Sequence, residues 1–399
     1  MNQVITQREP RPCRSLLAML GIFAAAIFAA MLFANEATAG DRMFWTAEDK
    51  GQPNAGDAVF SLDLETGEHR IEPWGSMTYA PWELELHQVD GERVVYASSK
   101  LGWNTSNRAQ LYDPTTGESL GGANGRLRLP VGVRHVKGEW TAALGYNGTL
   151  KEMQVAAWAG DDWGLRSPRA VDIRIDAPEG RFRPAPSIAM DLDERKVLAL
   201  NLESDRWGAP FLLVDCRTGE YEFIPHEFPV PYRYLTGLTY DGTRGFAAVT
   251  DLNGGLFLFR TNGTIDPREW ERTAHIEPEA PGLVPCVLSA FGCVYWLEGA
   301  DLCMARIRDG LAVDTDRLTM RAAAPLEAKF ESRLGYYAGS IVAMVGPEDE
   351  GPFRAMCAVS MHFATRSTEV LVDLRPGSPL NPDGIEWWIR DCIIVPEGA

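Results

Sequence analysis

The stretch LDLETGEHRIEPW, Leu62–Trp74, is echoed twice further along the chain, as LYDPTTGESL from Leu111 and as LVDCRTGEYEFIP from Leu213. Each copy of Asp-x-x-Thr-Gly-Glu lies between an apolar run and a mixed one, the layout of a β-hairpin. The Asp side chain can accept a backbone N–H two residues on, forming an Asx turn. Glycine then takes a positive φ at no steric cost and closes the loop. Asp63–Gly67, Asp113–Gly117 and Asp215–Gly219 therefore read as three equivalent turns.

Further hairpin glycines fall at Gly263 (TNGT) and Gly310 (RDGL), giving gaps of 50, 102, 44 and 47 residues along the series. The double gap is filled by GDDWG at Gly160–Gly164, and ATRST at Ala364–Thr368 supplies a seventh position. A second series interleaves with the first. VDGERVVYAS, VKGEWTAALG, LDERKVLALN, YDGTRGFAAV, AFGCVYWLEG and YAGSIVAMVG each place a tight turn before a strongly apolar strand. Their turns, at Gly91, Gly138, Glu194, Gly242, Gly292 and Gly339, are spaced by 47, 56, 48, 50 and 47 residues.

Two turn series locked at one period of about 50 residues imply a repeated four-stranded unit. In each unit strand a leads into the DG-type turn, b follows it, and c and d flank the TGE-type turn. The apolar stretches are short, rich in Val, Leu, Phe, Tyr and Trp, and bounded by Gly, Pro or Asp, so helices are not expected. The predicted fold is all-β: a seven-bladed β-propeller with four-stranded blades. DRMFWTAED, 41–49, reads as a strand b with no a before it. IEWWIRDCIIV, Ile385–Val395, reads as a strand a with no b after it. Both termini should then complete one blade, leaving no open sheet edge. Cys392 should sit in that closing strand beside strand b of the first blade.

The first 39 residues read as a signal peptide. Arg8, Arg11 and Arg14 precede an apolar run, and Ala37-Thr38-Ala39 fits a small-x-small cleavage site. The run is also long enough for a retained anchor; cleavage is the expectation, with a propeller domain over 40–399, a periplasmic or secreted location and no stable membrane insertion afterwards. The formal charge is −17. The leader holds three arginines and two glutamates, so the remainder stands at −18. Such a charge argues against nucleic acid as a partner. Of the seven cysteines only Cys13 falls in the leader, and the absence of CxxC or Cys/His zinc spacing makes covalent haem or structural zinc unexpected. Cys293 and Cys303 flank the LEGAD turn and are expected to face each other as a candidate disulfide.

The turns YDPTTGE and LDLETGE, alternating with DG turns, resemble those of exported propellers such as YVTN-type repeat proteins, quinoprotein amine dehydrogenase heavy chains and propeller-fold polysaccharide lyases. The resemblance covers most of the chain beyond the leader. It implies architecture, and function has to come from a site. The chain has no HExxH, P-loop, GxGxxG fingerprint or EF-hand loop; GESLG, Gly117–Gly121, matches GxSxG as a string but falls in a hairpin turn and not at a strand-to-helix elbow, and no cofactor or metal is expected.

Propeller topology puts the a–b and c–d turns on one face and the longer b–c and d–a connections on the other, where binding sites usually sit. Two b–c loops offer a tryptophan among polar residues: Trp103 with Asn104, Asn107 and Arg108, and Trp207 with Glu203, Asp205 and Arg206. The d–a connections offer Arg126, Arg128, Arg134 and His135, then Arg181 and Arg183, then Tyr232, Arg233 and Tyr234. The candidate ligand-binding set is Trp103, Arg126, His135, Arg183, Trp207, Arg233 and Tyr234. Indole faces suit stacking on a ring, and arginine forks suit carboxylate or phosphate. Packing and local ion pairing are the competing roles for these side chains. His87 and His135, in consecutive inner strands, are the weak candidates for acid–base work.

The function expected is binding of a small anionic ligand, a sugar or a partner protein through the loop-rich face, without chemistry. The alternatives are a hydrolase or lyase acting on an acidic sugar, and the heavy chain of a two-subunit amine dehydrogenase whose cofactor sits in another chain.

Overall fold

In the computed structural model the described residues are 41–49, 58–72, 81–89, 92–99, 109–116, 119–122, 131–137, 140–147, 152–159, 171–176, 184–191, 193–201, 209–229, 235–279, 282–320, 325–330, 332–337, 339–352 and 354–395. The expected leader lies outside them.

The Asp-x-x-Thr-Gly turns form as their chemistry dictates. Asp63 Oδ1 accepts the amides of Glu65 at 3.0 Å and Thr66 at 2.8 Å. Asp113 accepts those of Thr115 and Thr116, and Asp215 those of Arg217 and Thr218. Gly67 and Gly219 close the first and third turns at φ +71° and +80°. The amide of Thr66 is the main reason the Asp63 carboxyl titrates below its usual range.

Among the described residues the strands between these turns assemble into seven antiparallel sheets, taken here in chain order. The first combines Trp387–Val395, Arg42–Asp49, Ala58–Asp63 and His69–Ile71; the second runs Pro81–Val89, Glu92–Ser99, Ala109–Tyr112 and Ser119–Gly122. The third is Val131–Lys137, Trp140–Asn147, Glu152–Ala159 and Val171–Asp176; the fourth is Pro184–Asp191, Lys196–Asn201, Phe211–Asp215 and Tyr221–Ile224. The fifth holds Leu235–Asp241, Phe246–Asp251, Gly255–Arg260 and Glu271–Ile276; the sixth holds Val287–Ala290, Cys293–Glu298, Asp301–Arg308 and Leu311–Thr319. In the seventh, Ser340–Pro347, Cys357–His362 and Ser367–Asp373 follow an inner strand made of two pieces, Leu326–Glu327 and Leu334–Tyr337.

The fold is the all-β propeller expected, with the first sheet closed by both ends of the chain. Trp387–Val395 pairs antiparallel with Arg42–Asp49, and Cys392 stands opposite Trp45. First strands of neighbouring sheets pack side by side, as Val131–Lys137 does on Pro184–Asp191 and Pro184–Asp191 on Leu235–Asp241. The core lies in the seams. Phe211, Leu213 and Ala189 of the fourth sheet meet Val249, Phe257 and Phe259 of the fifth. On the opposite side of the fifth, Phe246, Ala248 and Leu258 meet Trp296 and Cys303 of the sixth. Burial on both faces explains why FAAV, 246–249, reads as a continuous apolar run. Each such Phe or Leu contributes about 1.5–3 kcal/mol by leaving water.

Two details depart from the sequence reading. The inner strand of the seventh sheet is interrupted between Glu327 and Leu334, where Lys329 is fully buried and donates to Glu327 Oε1 at 2.9 Å and to the Glu350 carbonyl at 3.0 Å. The b–c connections are not uniformly long. In the fifth and sixth sheets they are tight hairpins closed by the pairs Asp251–Gly255 and Glu298–Asp301, with Gly255 at φ +92° and Gly299 at +55°.

Among the described residues no helix is long and apolar enough to cross a membrane.

Candidate functional site

Of the side chains proposed from sequence, Trp103, Arg126, Arg183, Trp207, Arg233 and Tyr234 lie outside the described residues. His135 stands opposite Ala142, and His87 opposite Val94, each on the first strand of its sheet. That is as far as the structure describes them. Among the described residues no group of three or more His, Cys, Asp or Glu is placed to hold a metal ion.

The expected Cys293–Cys303 pair does not form. The hairpin is centred between Gly299 and Ala300, so Cys293 opposes Arg306 and Cys303 opposes Trp296. The two cysteines are three register positions apart, about 10 Å along the strands at the usual rise, and an odd offset puts them on opposite faces of the sheet. Both are free thiols. The turn centre lies one and a half residues beyond Glu298, the midpoint of the two sequence positions, and that offset separates them.

The loop-rich face carries two described clusters. The first lies at its inner rim, where the chain ends meet. Trp388 is near the start of the closing strand, opposite Glu48. Its indole packs against the apolar cluster formed by the sixth and seventh sheets. Arg390, the extra residue of a β-bulge two positions on, carries its guanidinium carbon 5.0 Å from the indole centroid. Arg354, from the b–c connection of the seventh sheet, places its own at 5.2 Å. Both distances suit a cation–π contact.

Arg354 is also ion-paired with Glu386, and Glu350 Oε2 lies 3.7 Å away. The amide of Ile389 donates to the Ala355 carbonyl at 2.8 Å, which ties the loop bearing Arg354 to the closing strand. Arg390 is buried, whereas Arg354 and both of its carboxylate partners remain about one-third exposed or more. This arrangement can hold a flat or ring-shaped anion, since an incoming acid group can replace Glu386 or Glu350 on the exposed fork of Arg354.

The second cluster is a cleft of about 260 Å³ between the fifth and sixth sheets, lined by Ile276, Glu277, Glu279, Trp296, Cys303, Thr315, Asp316 and Arg317. Arg317 is the centre of its charge network. Its Nη2 reaches both oxygens of buried Glu298 at 3.1 Å, and its Nη1 reaches Asp301 at 2.8 Å. Cys303 donates to Glu298 Oε2 at 3.7 Å. Burial pushes this thiol well above its usual range; Arg317 pulls it down, and Glu298 and Asp301 push it up again. A thiol held protonated is a poor nucleophile, so this cleft offers recognition rather than thiolate chemistry.

Sequence reasoning took WWIRD only as a closing strand. The signal in WWIRD is an indole with a guanidinium two positions on, although the bulge at Arg390 means that strand alternation alone does not bring them together. Arg354 carried no comparable signal, as it joins them from a different sheet.

No family model matches the chain, and no curated protein matches it. Solved structures do. Two proteins named as putative 6-phosphogluconolactonases, from Bacteroides uniformis and Bacteroides fragilis, are each 14% identical to it. The first aligns over 90% of this chain and 100% of its own with a TM-score of 0.58; the second aligns over 90% and 99% with a TM-score of 0.54. At that identity the similarity is one of fold.

Proposed function

We propose that this chain is an exported propeller that binds a small anionic, ring-bearing ligand through its loop-rich face and performs no chemistry of its own. The observation that carries the reading is the convergence of Arg354 and Arg390 on Trp388 at the inner rim. An indole supplies a face for a sugar or other ring, and Arg354 supplies a fork for its carboxylate or phosphate. Arg126, Arg183 and Arg233 belong to the same proposal, as further cations expected on the loops of that face, with Trp103, Trp207, Tyr234 and His135 beside them. Export follows from the leader read in residues 1–39.

An enzyme acting on an acidic sugar is the second reading. The same rim would neutralise such a substrate, and the structurally similar proteins carry the name of a sugar-phosphate lactonase.

The test is thermal stabilisation by 6-phosphogluconate, glucuronate, galacturonate and inorganic phosphate, followed by calorimetry. Binding of at least one sugar acid is expected, weakening as salt is raised and lost in Arg354→Ala and Trp388→Ala. Stabilisation by none of the four would sink the proposal. Turnover of any lactone or glycan bearing these acids would replace binding with catalysis.

A further inference from the structure

On the opposite face, the two-residue loop between Ala290 and Cys293 has consecutive positive φ values, +51° at Phe291 and +76° at Gly292. A hairpin of this kind favours Asn or Asp followed by Gly. The chain follows that rule at two other turns, Asn262–Gly263 (φ +52° and +81°) and Asp309–Gly310 (φ +53° and +74°). At Phe291 it places a bulky aromatic residue in the same strained conformation.

Burial offers no compensation, because Phe291 is 71% exposed. Arg366, also at positive φ (+56°), gains an ion pair with Asp316. The Phe291 ring instead meets Tyr336, itself 41% exposed, at 4.7 Å between centroids and 47° between planes. Tyr336 is fixed in turn, its hydroxyl accepting the Gly339 amide at 3.0 Å. The fold gains little from an exposed aromatic pair that begins with an unfavourable backbone choice.

The geometry points to a saccharide-stacking site formed by Phe291 and Tyr336 on the turn face, selective for an uncharged sugar. Polar groups border the rings. The Arg244 side chain runs beside Gly292, its Nε 3.1 Å from where a Cβ on that glycine would stand, and His362 Nε2 is 3.4 Å from the same point on Gly339. The cations nearby are already paired, Arg244 with Asp241 at 2.9 Å and Arg306 with Asp314 at 3.6 Å. The patch therefore offers no net positive charge, and the formal charge of −17 further disfavours an acidic glycan.

Size argues against a second copy of the chain. The two rings expose on the order of 250 Å², whereas a stable protein interface needs about 800 Å² from each partner. One or two sugar rings fit the area.

The experiment measures binding of cellohexaose, maltohexaose, laminarihexaose and N-acetylchitohexaose by saturation-transfer NMR and affinity electrophoresis. It compares the wild type with Phe291→Asn and Tyr336→Ala. At least one oligosaccharide should bind the wild type and lose tenfold or more in affinity in both variants. Phe291→Asn should melt at or above the wild-type temperature, because Asn tolerates the left-handed conformation. The proposal is overturned if none of the four binds, if binding survives Phe291→Asn, or if that variant melts below the wild type. It is equally overturned if the aromatic pair instead drives co-sedimentation with phosphatidylcholine vesicles.

Discussion

Tyr240 donates a 2.8 Å hydrogen bond to Asp191 Oδ2, joining the inner strands of the fifth and fourth sheets across 49 residues of sequence. Asp191 Oδ1 meanwhile accepts the Glu194 amide at 2.8 Å. The Thr239–Ser289 bond of 2.7 Å links the next pair of sheets across 50 residues. The repeat length in the sequence thus reappears as the separation of residues that hold neighbouring sheets together. Tyr240→Phe keeps the ring and leaves a buried carboxylate oxygen without its donor. It should cost about 1.5–3 kcal/mol, read from the urea midpoint at unchanged slope. An unchanged midpoint would mean that the seam does not depend on this bond.

Removing 385–399 should abolish cooperative folding. The deletion strips the pairing partner from Arg42–Asp49 and uncovers Met43, Trp45 and Ala47, each no more than 1% exposed. Calorimetry of the truncated chain should show no sharp transition. A melt like that of the full chain would contradict closure by both termini.

Acid should destabilise the fold through His226. Its ring sits among Phe211, Phe228 and Phe259 at centroid distances of 5.8, 5.2 and 5.3 Å. Burial, reinforced by the Arg272 charge and opposed by Glu227, holds its pKa below the ordinary value. The unfolded chain therefore takes up this proton more readily than the folded one. The stability contribution is present above about pH 6.5 and is lost as pH falls from there through the lowered folded value. His226→Phe should flatten the pH dependence of the melting temperature over that interval; an unaltered slope would assign the effect to other groups.

Cys303 should resist alkylation in the native protein at pH 8, where an exposed thiol reacts readily. Its burial and the carboxylate of Glu298 both disfavour the thiolate. Mass spectrometry after a brief iodoacetamide pulse should find Cys303 unmodified until denaturant is added. Rapid native labelling would show that the seam between the fifth and sixth sheets opens. Arg317→Ala should hasten that opening, since it removes the guanidinium that reaches both oxygens of buried Glu298, at a cost of about 3 kcal/mol.

Register marks where sequence reading stops for the Cys293–Glu298 and Asp301–Arg308 pair. The apolar pattern identified both strands. Whether Cys303 faced Cys293 depended on a turn centre between Gly299 and Ala300 rather than at Glu298. Because strand side chains alternate, a shift of that size exchanges faces. The split inner strand around Lys329 has no signal in its own segment for a related reason. Its excursion is held by Glu350 and Pro352, residues of a different connection.

The sequence by itself determined the turns at Asp63, Asp113 and Asp215, the period that repeats the four-stranded unit, and the union of Trp387–Val395 with Arg42–Asp49. These rest on local chemistry: an Asp oxygen within reach of its own backbone amides, a glycine free to take positive φ, and short apolar runs bounded by Gly, Pro or Asp. Only the tertiary structure decided that Arg354 of the seventh sheet lies on Trp388 of the first, that Arg317 neutralises Glu298 above a buried thiol, and that Phe291 stands exposed beside Tyr336. Each meeting depends on how one sheet is set against or extended beyond the next. That relation comes from sheet packing and hairpin register between distant segments, which no local pattern encodes.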